Sequence, residues 1–197
     1  MKHLLALGAL ALSLPACSPK PAETPANDAA ANAVDANAAA PATAPSPAAA
    51  AAAAANVLTP EGLAELRIGE PLPAGTAWKK DEQQASDSCI TYSAAAFPGV
   101  YAIVEDGAVR RISVVEGTAV KLATGIGIGA TEAAVRAAYP GLIERPHDYT
   151  PAPAKNLTTP GTKGRNPGLR FEIGEDGKLS IIHAGAEPVL GYSEGCA

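Results

Sequence analysis

The chain has 197 residues, with 15 lysines and arginines against 20 aspartates and glutamates, and the net charge of −5 argues against a nucleic-acid partner, which calls for a basic surface. Aromatic residues make up only 4% of the chain, few for an aromatic-lined ligand groove, and the length suits one domain with an extended segment attached. The 47% hydrophobic content does not measure a core, because a block of alanines before Asn56 inflates it.

Met1, Lys2 and His3 form a short basic start, and Leu4 to Leu14 follow as a largely apolar run. This is the plan of a secretory signal over residues 1–16. A helix of that length rises only about 16 Å, against about 30 Å of bilayer hydrocarbon, so a membrane span is not expected. The run ends Leu14-Pro15-Ala16-Cys17, which resembles the lipobox of bacterial lipoproteins, with Pro15 standing where Ala or Ser is usual. The resemblance implies cleavage before Cys17 and a thioether-linked diacylglycerol on it. One acyl chain binds a bilayer marginally, whereas two or three anchor it durably. The alternative is an ordinary cleaved signal in which Cys17 is incidental. Ser18, rather than Asp, follows the cysteine. In such lipoproteins that implies the outer membrane, facing the periplasm.

Residues 17–56 read as the lipidated cysteine and a disordered tether. Ser18 to Asn56 hold 20 alanines and six prolines, no glycine and no aromatic residue, and nothing in that composition offsets the entropy of ordering. Fully extended, such a segment reaches on the order of 120 Å at about 3.1 Å per residue.

From Val57 the composition changes, and residues 57–197 suit a single globular domain. Two stretches in it are alike. Leu66–Gly69 matches Ile126–Gly129, and Tyr101–Val114 matches Phe171–Ala184. The expected architecture is α+β, a tandem repeat of a short helix plus antiparallel β-meander, with repeat 1 near 62–118 and repeat 2 near 122–190. Asp106-Gly107 and Asp176-Gly177 sit between β-rich runs and predict type I′ hairpins. Strands are expected near 100–105, 108–116, 169–174 and 178–184. Thr131 and Glu132 predict a helix start, and Tyr139-Pro140-Gly141 its end. Pro71, Pro73 and Gly75 oppose a helix at the matching place in the first half.

If Cys17 carries lipid, Cys89 and Cys196 remain for one disulfide in an oxidising compartment, the alternative being two separate buried thiols. The chain has no Cys-x-x-Cys and no clustered histidines, so neither a metal nor a cofactor is expected. Gly125–Ala130 formally fits a dinucleotide fingerprint, but the Asp-Gly hairpins point to antiparallel strands and a tight turn into the helix instead. Gly191–Gly195 matches G-x-S-x-G with only four residues after Ser193, too few for the rest of a hydrolase triad.

His147-Asp148-Tyr149 opens an irregular stretch, 147–168, holding Pro151, Pro153, Pro160 and Pro167. It makes the second half longer than the first. Long loops on rigid scaffolds are enriched in binding roles. With His147 and Tyr149 it gathers Lys155, Lys163, Arg165 and, just beyond, Arg170, a locally basic group in an acidic protein. An anionic glycan, a lipid headgroup or a protein carboxylate would suit it, and a solvated loop is the bland alternative. His183 lies in a strand pattern and reads as a surface or half-buried ring.

The segments GIGIGATEAAVRAAYPG, PHDY, LRFEIGEDGK and EGCA resemble a group of proteobacterial lipoproteins across Leu63–Ala197. The duplicated helix-and-meander pattern is more loosely similar to the beta-lactamase inhibitor protein fold and to BamE-like outer-membrane lipoproteins. The looser resemblance implies a binding or scaffold module, not an enzyme. The expected function is therefore a lipid-anchored envelope protein that binds a protein or envelope polymer. An inhibitor of a periplasmic hydrolase, or a hydrolase using His147, are the alternatives.

Overall fold

The computed structural model describes residues 55–82 and 86–196. The expected signal peptide, Cys17 and almost all of the tether lie outside the described residues. The first strand begins at Val57, where the composition changes.

Short strands β1 (Val57–Thr59), β2 (Gly62–Leu63) and β3 (Leu66–Arg67) form a small sheet with β8 (Lys121–Leu122), in the order β3-β2-β1-β8. Eight strands make the large sheet. They are β4 (Lys79–Lys80), β5 (Cys89–Ser93), β6 (Val100–Glu105), β7 (Ala108–Val114), β9 (Ile143–Pro146), β10 (Lys155–Thr158), β11 (Gly168–Ile173) and β12 (Leu179–Gly185). Their order, β4-β5-β6-β7-β12-β11-β10-β9, sets two four-stranded antiparallel meanders side by side through their last strands. One helix, α1 (Glu132–Ala138), precedes the second meander. Thr131 caps it, its Oγ1 accepting from the Ala134 N–H at 3.2 Å. Among the described residues the fold is thus mostly β with one short helix element, and the proline-rich segment 70–78 carries no helix, as its residues dictate.

Alternation along the large sheet separates two faces. One face carries Ala102, Ile112, Val114, Leu169, Phe171, Ile173, Ile182 and Ala184, all buried. These pack with Leu58, Leu63 and Leu66 of the small sheet and with Val135 of α1 into one apolar cluster. Trp78 stacks on Phe97 at 5.6 Å between ring centroids, and Tyr139 of the helix end tilts over Phe171 at 5.2 Å.

Two expectations are corrected here. Asp106 and Gly107 both have positive φ (51° and 76°), as a type I′ hairpin requires. At the second hairpin only Gly177 does, and the Gly177 N–H donates to Gly174 O at 3.0 Å. This is a type I turn closed by a left-handed glycine, one residue longer than expected. The stretch 147–168 is also not wholly irregular. Lys155–Thr158 forms β10, paired on both sides, with β9 and β11. The prolines that mask it, Pro151, Pro153, Pro160 and Pro167, all fall outside the strand, where a missing N–H does not break the ladder.

Candidate functional site

The second face of the large sheet is polar where a face buried this deeply is usually apolar. A register row crosses it: Tyr101 pairs with Ser113, Ser113 with His183, and His183 with Arg170. Arg111, Glu172 and Asn156 stand one pair away along β7, β11 and β10, on the same face. Arg111, Ser113, Asn156, Arg170, Glu172 and His183 are all buried.

What covers them is the chain's last stretch. A 3-10 turn at Val189–Gly191 and the residues after it lie across β7, β11 and β12 as a strap. Arg111 donates to the carbonyls of Val189 (3.1 Å), Tyr192 (2.7 Å) and Glu194 (3.4 Å). Arg170 donates to those of Leu190 (3.3 Å) and Tyr192 (3.1 Å). Val189 O also closes the turn by accepting the Tyr192 N–H at 3.2 Å, and the later carbonyls, which end the turn, are satisfied by the two guanidinium groups as these lose their water. A disulfide between Cys89 and Cys196 ties the strap down, with Cα atoms 5.3 Å apart across a sequence separation of 107.

Arg170 also donates to Glu172 Oε1 at 2.9 Å and Asp148 Oδ2 at 3.5 Å. His183 lies between Ser113 and Glu172, with Nδ1 2.8 Å from Ser113 Oγ and Nε2 2.9 Å from Glu172 Oε1. Burial pushes the His183 pKa down to about 4, with the neighbouring Arg111 and Arg170 charges adding to it against the pull of Glu172. The ring is therefore neutral at pH 7. Nε2–H donates to the carboxylate and Nδ1 accepts the Ser113 hydroxyl. Burial alone raises the Glu172 pKa, but the His183 hydrogen bond and the charges of His183, Arg170 and His147 outweigh it, and the net shift is downward.

Ser113, His183 and Glu172 have the residue types of a hydrolytic triad. Their geometry differs from one. The serine meets Nδ1 and the acid Nε2, the reverse of the usual arrangement, and Ser113 is 0% exposed. In this structure a nucleophile sealed under the strap has no substrate to attack. His147 is also engaged at both ring nitrogens. Nδ1 accepts the backbone N–H groups of Tyr149 (3.2 Å) and Thr150 (3.1 Å), and Nε2 stands 3.4 Å from Glu172 Oε2. The ring closes its own turn and adds to the buried network. Among the described residues, no group of three or more His, Cys, Asp or Glu side chains is placed to hold a metal ion.

The sheet's polar face opens to solvent at its β9–β10 side. There a cleft of about 480 Å³ lies between these strands, the loop 159–167 and the strap. Its walls carry three cations, Arg145, Lys163 and Arg170, and two acids, Asp148 and Glu187. Buried Asn156 and half-exposed Ile143 (48%) complete the part that bears on chemistry.

The basic residues singled out from the sequence are distributed unevenly. Lys163 and Arg170 meet in this cleft. Arg165 lines a neighbouring depression of about 320 Å³ with Glu105 and Arg110. Lys155 points to the opposite face of β10, where it stands 3.4 Å from both Glu132 and Glu144, beside the Arg136–Glu132 and Arg136–Glu144 pairs. Tyr149 is 65% exposed and donates its hydroxyl to Glu194 at 2.7 Å, and that hydrogen bond raises the phenol's pKa. Asn156 and Arg145 were not legible as site residues, because the strands that carry them were read as loop or left unassigned. No protein-family model matches the chain, and neither curated proteins nor solved structures gave a significant match.

Proposed function

We propose that this is a lipid-anchored envelope protein whose folded domain is a non-enzymatic binding module for a protein or envelope polymer. The chain would be carried out of the cytoplasm by residues 1–16, held to the outer membrane through Cys17, and spaced from it by the tether. The observation that carries the binding reading is the cleft beside Arg170. It joins a solvent-open wall of mixed charge to side chains locked by a buried network, the preorganisation that recognition sites use. The sealing of Ser113 and His183 and the double engagement of His147 favour binding over hydrolysis. A Cys89–Cys196 bond in the folded domain suits an oxidising compartment.

The two meanders support descent from a duplicated unit. The sequence match relates residue i to i+70. In the β7–β12 ladder Ser113 faces His183, Ile112 faces Ala184 and Val114 faces Ile182. That register is its own mirror under the 70-residue offset, so a local two-fold relation runs between Ser113 and His183.

Two measurements test the reading. Mass spectrometry of the mature protein should show an acylated Cys17 as first residue, and Cys17→Ser should abolish the acyl mass and leave the chain held to the envelope by its folded domain alone. The exported Cys17→Ser chain should still sediment with isolated envelopes, and adding Arg145→Glu with Lys163→Glu should release it. A Cys17→Ser chain that never sediments would end the binding reading. A reproducible hydrolytic activity lost in His147→Ala would replace it with the enzyme reading.

A further inference from the structure

The large sheet ends in two edge strands of different kinds. β4 is only Lys79–Lys80, the short, lysine-bearing kind of edge that discourages added strands. β9 at the other edge has four residues, all exposed, and it carries Ile143, one of two exposed large hydrophobic residues among those described. The ladder fixes which backbone groups of β9 point outward. The Thr159 N–H donates to Leu169 O at 2.9 Å, so Thr159, Leu157 and Lys155 bond to β11, and the alternate residues Thr158 and Asn156 bond to β9. Their partners there are Ile143 and Arg145. Glu144, between those two, therefore turns its N–H and C=O away from the sheet, and Pro146 ends the row because it has no N–H to give. Ile143 and Arg145 share the cleft face, whereas Glu144 lies on the opposite face with Arg136 and Lys155. Among the described residues, Arg145 and Lys163 line the cleft without a side-chain hydrogen bond or ion pair, while Arg136, Lys155 and Glu144 answer one another.

We infer that β9 takes an added strand, an extended segment of a partner protein with an acidic residue two positions from an apolar one. The inference rests on the binding-module reading above and names the partner's chemistry and its mode of attachment. The segment's main chain would exchange hydrogen bonds with Glu144. Its acid and its apolar side chain would fall opposite Arg145 and Ile143, which share the cleft face because they are two residues apart on one strand. Lys163, also in the cleft wall, adds to the attraction for the acid. The chain's own tether does not supply the segment, since Glu23, Asp28 and Asp35 have only Pro, Ala or Asn two residues away. A second copy fits less well. A two-fold between residues would pair an outward group with an inward one, so self-pairing must centre on Ile143, Glu144 or Arg145. The last two set like charges face to face, and the first puts Arg145 opposite Gly141 with no acid to meet it. An anionic polysaccharide would meet Arg145 and Lys163 but has no main-chain row to match Glu144.

The test is an amide-resolved NMR titration of the full Cys17→Ser chain with acetyl-Thr-Asp-Thr-Val-Thr-amide. In antiparallel pairing its Asp, middle Thr and Val stand opposite Arg145, Glu144 and Ile143. The comparison probes are the same peptide N-methylated at the middle threonine, a form with Lys in place of Asp, and polygalacturonate. The expected result is a saturable shift and slowed hydrogen exchange at the Glu144 amide. The N-methylated peptide, which needs no change in the protein, should bind at least about fivefold more weakly, as loss of one backbone hydrogen bond predicts. Glu144→Pro removes the outward N–H and leaves the bonds to β10 in place, so it should weaken the parent peptide to a similar degree. Glu144→Gln gives up the same ion pairs but keeps the N–H, and should bind within about twofold of the unsubstituted residue. Arg145→Glu should reverse the preference between the Asp and Lys peptides. Equal binding of the N-methylated peptide, tighter binding of polygalacturonate, a dimer in ultracentrifugation that Glu144→Pro abolishes, or no shift at millimolar peptide would each overturn the inference. If the peptides fail while the Cys17→Ser chain still sediments with envelopes, strand addition alone is wrong. If sedimentation fails too, the binding reading falls with it.

Discussion

The most demanding consequence of the buried network concerns His183. In the unfolded chain a histidine has its ordinary value of 6.5, and in the folded protein burial and the nearby arginines hold His183 at about 4. Above the unfolded value neither state binds the proton and the stabilisation is complete. As the pH falls from there towards 4, the unfolded chain takes up a proton that the folded protein refuses, and stability is lost. At about 1.36 kcal/mol per pKa unit, going from about pH 7.5 to about pH 4.5 removes on the order of 2.5 kcal/mol through this ring alone. Glu172, whose folded value is also lowered, acts in the same direction further into acid, as the pH falls through the carboxylate range. Urea unfolding at the two pH values measures the loss. His183→Gln is the control, because an amide can still donate to Glu172 and accept from Ser113 but does not titrate. Its stability at neutral pH is not the readout. The pH-dependent loss should shrink by about 2 kcal/mol relative to wild type. If both proteins lose the same stability on acidification, or if the His183 ring titrates near 6.5 by NMR, the account of a neutral, sealed imidazole is wrong.

Cys196→Ser should lower stability by up to about 4.7 kcal/mol, the chain-entropy value for a loop near 100 residues, as read by urea midpoint under non-reducing conditions, and a change below about 1 kcal/mol would argue that the strap is held without the bond. Arg111→Met should cost about 1–3 kcal/mol in the same assay, since it takes the guanidinium donor from Glu194 O and leaves Val189 O and Tyr192 O with only the Tyr192 N–H and Arg170 respectively. Gly185→Ala places a Cβ 2.5 Å from Arg110 O across the central β7–β12 pair and should cost about 1–3 kcal/mol, with unchanged stability refuting the register. Thr131→Ala should cost about 1 kcal/mol by loss of the helix cap, visible as a lower melting temperature.

The parts of the fold that could be read from the sequence are those with local, redundant signals. The strand Val100–Glu105 was legible because a β-rich run meets an Asp-Gly turn. Thr131 and Pro140 framed α1 because a cap and a breaker act within one turn. β10 was missed because four residues, Lys155–Thr158, show only one strong apolar position, Leu157, amid prolines on both sides. The small sheet was missed for a similar reason, since its two- and three-residue strands carry no periodicity. The polar face was the deeper failure. Arg111, Ser113, Arg170, Glu172 and His183 alternate with apolar residues in β7, β11 and β12, which is the pattern of a sheet with one solvated face. Only the strap, 80 residues away from Arg111 along the chain, converts that face into an interior. No local pattern reports a cover supplied from the far end of the sequence.

That cover explains how a charged layer persists in an otherwise apolar domain. Two guanidinium groups face one buried carboxylate, so the layer would carry excess positive charge if side chains alone balanced it. Backbone carbonyls of the strap take up the remaining donors. Their hydrogen bonds are directional, so they hold the strap in one register over the sheet in a way that apolar contact would not. The disulfide and the small apolar cluster of Cys89, Ile103, Val189 and Cys196 then close the end nearest β5. At the other end, near β9, the described residues form no equivalent seal, and the same Arg170 that is locked by Leu190 and Tyr192 borders the cleft. Rigidity and access therefore meet at one side chain. A site built there inherits its geometry from the buried network instead of ordering itself when a ligand arrives.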